Sequence, residues 1–369
     1  MSEEHPEIGR RTRVLVLFGG QSAEHDVSLR SAQTVIAALD PDRYDVVPVG
    51  ITRDGQWLTA GDPMTRLSAA SPLFAISAGA EPGAVDASDE DGARSGGAIP
   101  AVLSGDVDVV FPVMHGPLGE DGAVQGMLEL AGLPYVGSGV LGSAVAMDKA
   151  IAKAIFEREG IPQVDWLLVQ RRDWERDPEA AGAHIVEKLG FPCFVKPANM
   201  GSSVGVGKAN DRTELTECME IAGRYDRRIV IEQGVDAREL EISVLGNDTP
   251  IASVAGEVVS SNEFYDYAAK YVDNRSSFHV PAEIDAATLA EIQDIAVRAF
   301  RVLDLAGMAR IDFFLERSSG RLFLNEVNTI PGFTATSMYP MLWEASGLPI
   351  RELVDRLIAL AIERAGERR

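Results

Sequence analysis

The stretch "ARIDFFLERSSGRLFLNEVNTIPG", residues 309–332, carries oxygen-bearing side chains at regular places. Its two apolar arms read as a β-hairpin turning at Ser318-Ser319-Gly320, because a three-residue loop with glycine in the left-handed position is a common hairpin connection. Side chains alternate along a strand, so Glu326 and Asn328 share a face. The register of such a hairpin puts Asp312 directly opposite Glu326. Like charges so placed repel, by roughly 4 kcal/mol at about 4 Å and an effective dielectric near 20. Something cationic therefore belongs between them, and the rest of the sequence has to say what.

Other segments could meet the anion that such an ion would accompany. In "VKPANMGSSVGVGK", glycines let the backbone approach a phosphate, Ser202 and Ser203 supply donors, and Lys196 stands at the entry. The Gly-Lys-Ser/Thr ending of a Walker loop is absent. Lys149 opens a helix and gains meaning only if it converges with Lys196. Glu232 ends a strand and Glu239 follows seven residues on, placed to accept from an adenine amine or a ribose. "EFYDYAAKYVDN" holds three tyrosines and Lys270 in a polar loop, a pattern of a packed Ω-loop or lid. Glu24 lies between a Gly-Gly turn and a helix, and His115 ends a strand in glycine-rich surroundings. Each has an ordinary reading too: a glycine-rich turn, a solvated lysine, surface acids, a loop pinned by its rings, a helix cap, a structural histidine.

These groups need a scaffold. The 369 residues suffice for two or three domains. "TRVLVLFGG", "YDVVPVGIT" and "VDVVFPVMHG", with the helix "LRSAQTVIAALD", form a βα pattern with parallel strands, whose ligands gather at strand C-terminal ends. Residues 60–106 include an Ala-, Gly-, Asp- and Ser-rich run without period and read as a mobile surface insertion. A second unit opens near Met147 with the helix "MDKAIAKAIFEREG", and a third with the strand "RELEISVLG". The net charge of −22 argues against a nucleic-acid partner. No apolar run approaches the roughly 20 residues of a membrane span, and "MSEEHPEIGRRTR" lacks a signal-peptide core, so a cytoplasmic location and no membrane partner are expected. Cys193 and Cys218 lack metal spacing and cannot build a disulfide framework, and the five histidines are scattered.

Taken together, "GGQSAEHDVS", "HGPLGEDGAVQG", "VKPANMGSSVGV", "EFYDYAAKY", "ARIDFF" and "NEVNTIPGFTATSM" resemble, in order and over nearly the whole chain, the ATP-grasp carboxylate–amine ligases, and among them the D-alanine–D-alanine ligase family. The resemblance implies an α/β fold, α+β in its ATP-binding part, in a three-domain ATP-grasp architecture with an N-terminal Rossmann-like parallel-sheet domain. The expected division is 1–146, 147–237 with the Gly/Ser phosphate loop, and 238–369 with the metal site and a lid at 261–275. It implies an ADP-forming carbon–nitrogen ligase of peptidoglycan precursor synthesis. One D-alanine would be activated by ATP as an acylphosphate and a second would attack it.

By the same resemblance, Asp312, Glu326 and Asn328 would bind two Mg²⁺ ions, with Mn²⁺ as a substitute. Lys149, Lys196 and Ser203 would contact the ATP phosphates. Glu232, Gly234 and Val235 would clamp the adenine, and Glu239 would bind the ribose. Glu24 would receive the first ammonium, linked to Ser202 and Tyr271 in closing the lid. Arg310 and the Gly332 N–H would form the oxyanion hole. Ser337 and Met338 would hold the second carboxylate, with Lys270 and His115 nearby. A homodimer follows by analogy. A D-alanine–D-lactate ligase is the nearest alternative, although the intact "FYDYAAKY" favours an amine acceptor. A nucleotide-sensing protein without turnover is the alternative from another class, and a dinucleotide oxidoreductase would need a G-x-G-x-x-G that is absent after the first strand.

Overall fold

The computed structural model describes residues 10–71, 101–259 and 277–367. It opens with β1 (Thr12–Gly19), α1 (His25–Ala38), β2 (Tyr44–Ile51), β3 (Trp57–Leu58), α2 (Pro63–Ala69), β4 (Val109–Pro112) and α3 (Ala123–Leu130). Their sheet runs β3-β2-β1-β4, with β1 parallel to both neighbours. Val14 to Phe18 have no exposed surface, as a central parallel strand covered on both faces requires. Leu29, Ala32 and Val35 of α1 cover one face and Val124 and Leu128 of α3 the other. Helix α1 begins about a turn earlier than its apolar spacing indicates, which makes Glu24 its N-cap residue. Within the expected insertion 60–106, residues 63–69 are helical. The Asp62 carboxylate accepts the Thr65 N–H, Pro63 starts the turn, and Leu67 is buried against the sheet. Residues 72–100 lie outside the described part.

Helices α4 (Val140–Met147) and α5 (Lys149–Arg158) follow, divided at Asp148, whose carboxylate caps α5 through the Ile151 N–H at 3.0 Å. Next come β5 (Trp166–Gln170), α6 (Arg171–Arg176), α7 (Pro178–Leu189), β6 (Cys193–Pro197), β7 (Gly207–Ala209), α8 (Arg212–Tyr225) and β8 (Arg228–Gln233). The antiparallel sheet β5-β8-β6-β7 is backed by α7 and α8 through Ile185, Leu215, Met219 and Ala222. Cys193 and Cys218 are free thiols in that core. The opposite face of β6 presents Phe194 and Lys196 to a cavity.

The third group is β9 (Ala237–Gly246), β10 (Ile251–Val259), β11 (Ser277–His279), α9 (Ala286–Val302), β12 (Gly307–Glu316), β13 (Leu322–Asn328), α10 (Met338–Ala345) and α11 (Ile350–Glu367). Its antiparallel sheet runs β11-β10-β9-β12-β13 and packs on Ile292, Ile295, Ala299 and Phe300 of α9. Helix α11 reaches across to the first sheet, where Leu353, Val354, Leu357 and Ile358 share a core with β1 and α1.

The β12–β13 hairpin reaches the expected register by an unexpected route. Its loop has four residues rather than three. The Glu316 N–H donates to the Arg321 carbonyl at 2.9 Å, and Gly320, at φ +71°, takes the left-handed position. Leu315 pairs with Leu322 and Phe313 with Leu324, an offset that would set Asp312 against Asn325. A bulge at Asn325 restores the register, and Asp312 pairs with Glu326. Bulges of this kind commonly re-aim side chains beside active sites.

Candidate active site

A cavity of about 1370 Å³ lies where the three sheets meet. It is lined by Glu24, His115, Lys149, Lys196, Ser202, Ser203, Glu232, Gly234, Val235, Glu239, Arg310, Asp312, Glu326, Asn328, Gly332, Ser337 and Met338. Every site residue expected from sequence within the described chain is therefore brought to one place. Lys270, Tyr271 and the lid 261–275 fall outside the described residues. Eight acidic and five basic side chains line the cavity, so its walls as a whole do not welcome a polyphosphate.

The second sheet builds the cationic wall. Glu232, almost wholly buried, lies between two lysines: Lys153 Nζ is 2.9 Å from Oε1 and Lys196 Nζ is 2.7 Å from Oε2. Burial would raise the Glu232 pKa, but the two ammonium groups outweigh it and hold the carboxyl at about 2. Burial likewise opposes the charge on Lys196, yet Glu232 and Glu326 keep its pKa above the ordinary value. Lys196 Nζ also donates to Asn325 Oδ1 at 3.3 Å. An ammonium has three donors. Two of them are used here, by Glu232 and Asn325. Lys149 Nζ donates to the Met200 carbonyl at 2.7 Å and so ties the glycine-rich loop to α5.

This arrangement gives Glu232 a duty beyond the one expected of it: each of its oxygens lies beside a lysine, so the carboxylate is the counter-ion of Lys153 and Lys196. Desolvation is the reason, since a carboxylate this deep needs counter-charges. Gly234 beside it is required by close approach: a Cβ there would come within 2.7 Å of the Pro192 carbonyl oxygen, which accepts the Gly234 N–H at 2.8 Å. In the loop itself Ser202 and Ser203 hold left-handed φ values of +51° and +57°. The Ser202 hydroxyl is buried with no hydrogen-bond partner among the described residues. Such strain costs about 1–3 kcal/mol per residue and gathers at functional loops.

The third sheet builds the acidic wall. Asp312 pairs in register with Glu326 on β13 and with Glu241 on β9, which aligns three carboxylates across three strands. The cation set against them is Arg310. Its Nε and Nη2 donate to Asp312 Oδ1 and Oδ2, each at 2.7 Å, and Nε lies 3.0 Å from Glu241 Oε2. Burial opposes the guanidinium charge, but Asp312 and Glu241 outweigh it and hold its pKa well above the usual value. Asn328 Nδ2 donates to Asp312 Oδ2 at 3.2 Å. Among the described residues no three His, Cys, Asp or Glu side chains converge as a ready-made metal cage.

The loops of the first sheet close the far end. Glu24 makes no side-chain hydrogen bond to cap α1, so the capping role is not what places it. It faces the glycine-rich loop, where a Cβ built on Gly201 would lie 3.5 Å from Glu24 Oε2 and 3.8 Å from Glu120 Oε1. Burial, reinforced by Glu24, pushes the Glu120 pKa up to about 8, although Glu120 Oε1 accepts the Gly116 N–H at 2.9 Å. His115 is buried, and burial lowers its pKa, so it is a neutral imidazole. Its Nδ1 donates to the Ile330 carbonyl at 2.9 Å, which leaves Nε2 to accept from the Ser31 hydroxyl at 3.2 Å. Both ring nitrogens thus join α1 to the segment after β13, a structural role for a residue that also lines the cavity. Ser337 Oγ accepts the Thr334 N–H at 3.0 Å and lies 2.9 Å from where a Gly332 Cβ would be, so Gly332, Ser337 and the start of α10 form one compact turn.

Four residues of this site were not singled out from sequence. Lys153 follows Lys149 by four positions on α5, a same-face spacing that could have found it. Glu241 follows Glu239 by two, again a same-face signal. Glu120 sits inside a quoted motif but shows its burial only in three dimensions. Asn325 needed the bulge.

The family models described as D-ala D-ala ligase N-terminus and D-ala D-ala ligase C-terminus match residues 13–138 and 155–359. The D-alanine–D-alanine ligase of Acetivibrio thermocellus is 48% identical over 366 residues, 97% of either chain. Among solved structures, the D-alanine-D-alanine ligase from Coxiella burnetii has a TM-score of 0.79 at 36% identity, covering 97% of this chain and 96% of that one. The VanG D-Ala:D-Ser ligase from Enterococcus faecalis has a TM-score of 0.79 at 34% identity, covering 95% and 100%. With an ATP-grasp fold, two family models over most of its length and relatives matched end to end, the chain belongs to the D-alanine–D-alanine ligase family.

Proposed function

We infer that this enzyme uses ATP to join two D-alanines into D-alanyl-D-alanine for peptidoglycan precursor synthesis. The observation that carries the reading is the opposition of Asp312 and Glu326 on adjacent strands, in the same cavity as Lys149 and Lys196. A wall rich in carboxylates across from a wall of ammonium groups suits a polyphosphate that arrives with divalent cations. Asp312, Glu326 and Asn328 offer hard oxygen donors, a few per ion, and would hold two Mg²⁺ ions, or Mn²⁺ in their place, with phosphate and water completing the shells. Those ions would neutralise charge on the transferring phosphoryl group.

The protein's own groups do the rest. Lys149 and Lys196 fix the phosphates, the Ser202–Ser203 turn covers them, the backbone near Val235 reads the base, and Glu239 takes the ribose. Glu24 orients the first D-alanine through its ammonium, so that its carboxylate attacks the γ-phosphorus and ADP departs. The amine of the second D-alanine, its carboxylate held by Ser337 and the Met338 N–H with Lys270 nearby, then attacks the acylphosphate carbonyl, and phosphate leaves. Arg310 and the Gly332 N–H receive the developing oxyanion, at about 3 kcal/mol per donor. Tyr271 would join Ser202 and Glu24 in closing a lid that keeps water from the acylphosphate. A homodimer, a cytoplasmic location and the three-unit division at 147 and 238 are part of the same proposal. Among the described residues no helix is long and apolar enough to cross a membrane.

The likeness to a D-Ala:D-Ser ligase keeps D-serine as a second acceptor to be tried, and D-lactate remains the ester-forming one. The test is phosphate release and product mass with D-alanine, D-serine, D-lactate or L-alanine, with and without Mg²⁺. Mg²⁺-dependent D-alanyl-D-alanine is expected. Preferential ester or D-alanyl-D-serine formation would reassign the acceptor, and no phosphate release with any of them would remove the ligase reading.

A further inference from the structure

Arg310 and Asp312 are asked for two things at once. In the proposed mechanism Asp312 ligates metal and Arg310 meets an oxyanion, yet here they are bound to each other through both ends of the guanidinium edge. When Asp312 turns to a divalent ion, the Nε–H of a buried arginine loses its acceptor. A buried donor left unmade is costly, so something must replace that acceptor. Glu241 is in place to do so. It is the register partner of Asp312 on the neighbouring strand, it is almost buried, and its Oε2 already stands 3.0 Å from Arg310 Nε.

We propose that Glu241 is a positioning residue that takes over the Nε–H of Arg310 as Asp312 goes to the metal, holding the guanidinium with its Nη groups toward the reacting carbonyl. The acidic row across β9, β12 and β13 then works as an exchange: one arginine passes from Asp312 on its own strand to Glu241 on the neighbouring strand. The inference rests on the metal role proposed for Asp312 and the oxyanion role proposed for Arg310.

Removing the charge at 241 would weaken metal binding by simple electrostatics, so the informative variant keeps the charge and shortens the reach. Glu241→Asp withdraws the carboxylate by one methylene. The measurement is Mn²⁺ affinity by electron paramagnetic resonance with a non-hydrolysable ATP analogue present, beside kcat and the KM for D-alanine. In Glu241→Asp the Mn²⁺ dissociation constant should rise about tenfold and kcat should fall at least tenfold, with the KM for D-alanine within about twofold. In Glu241→Gln, which loses charge as well, both effects should be larger. Wild-type Mn²⁺ affinity in Glu241→Asp would overturn the proposal, because charge alone would then account for any loss in Glu241→Gln. A fall in melting temperature in either variant without a change in Mn²⁺ affinity would also overturn it, leaving a purely structural ion pair. Asp312→Asn separates the underlying reading. If it leaves Mn²⁺ affinity unchanged, the metal role of Asp312 itself is wrong; if it weakens Mn²⁺ while Glu241→Asp does not, only the exchange fails.

Discussion

On the second-sheet side of the cavity one carboxylate, Glu232, lies between two ammonium groups. On the third-sheet side one guanidinium, Arg310, lies among three carboxylates. Both clusters are buried, and both obey the rule that a charge out of water needs counter-charges. They differ in what they leave over. The first has a surplus positive charge and no slack, with Glu232 held on both oxygens. It is a fixed surface suited to meeting phosphate. The second has a surplus of negative charge and a cation that can be shared in more than one way. On the reading proposed above it would receive metal and then redistribute its own arginine. One ligand, a nucleotide with its cations, would answer both surpluses at once.

The comparison can be broken at its acidic end most sharply. Glu326→Gln keeps the shape and halves the surplus charge. We expect turnover to fall at least a thousandfold, about 4 kcal/mol of transition-state stabilisation, with the melting temperature nearly unchanged. Near-normal turnover in steady-state assays would mean the third-sheet wall is not where the metal binds.

The cationic end should respond in stability instead. Glu232→Gln leaves Lys153 and Lys196 without their shared counter-ion and should cost about 3 kcal/mol in urea unfolding at pH 7. The sign with pH is fixed by the depressed value. The wild-type carboxyl, at about 2 when folded against a usual 4.5, contributes stability above pH 4.5 that is lost as the pH falls through about 2. That acid-side loss should be absent from the variant's stability profile, and parallel profiles would mean the lysines do not depend on Glu232.

Glu120 offers the opposite sign. Its carboxyl is raised from 4.5 to about 8, so the folded state keeps a proton that the unfolded state gives up, and wild-type stability declines as the pH rises from 4.5 to about 8. Glu120→Gln should match the wild type at pH 4 and melt several degrees higher at pH 9. An equal shift at both ends would show that the carboxylate is not protonated in the fold. The smallest effect is expected where the two walls touch. Asn325→Leu removes the amide oxygen that steadies Lys196 and should raise the KM for ATP a few-fold, about 1 kcal/mol, with kcat little changed. A loss of kcat of the same size as that of Glu326→Gln would instead mean that the bulge, and with it the Asp312–Glu326 register, had collapsed.

Much of this arrangement was legible in local pattern. The facing of Asp312 and Glu326, the shared face of Glu326 and Asn328, the parallel βα beginning and the glycine-rich loop after β6 all follow from alternation, turn residues and apolar runs, which act over a few positions. Even there the route differed: a loop of four and a bulge at Asn325 arrive at the register that a loop of three without a bulge would give. Two compensating irregularities leave no trace in residue spacing.

The amino-acid order alone settles which side chains are available and which face of its own strand or helix each one occupies, because rise and twist per residue are properties of the backbone. It does not settle partners. Lys153 and Glu232 are 79 positions apart, Arg310 and Glu241 69, and each pair exists only because separate elements are packed into one core. Burial decided the rest: it turned Glu232 from a free acceptor into a bridged anion, raised Glu120 into the neutral range, and committed both nitrogens of His115. Desolvation depends on everything that surrounds a group, and that is assembled by tertiary contact rather than written along the chain.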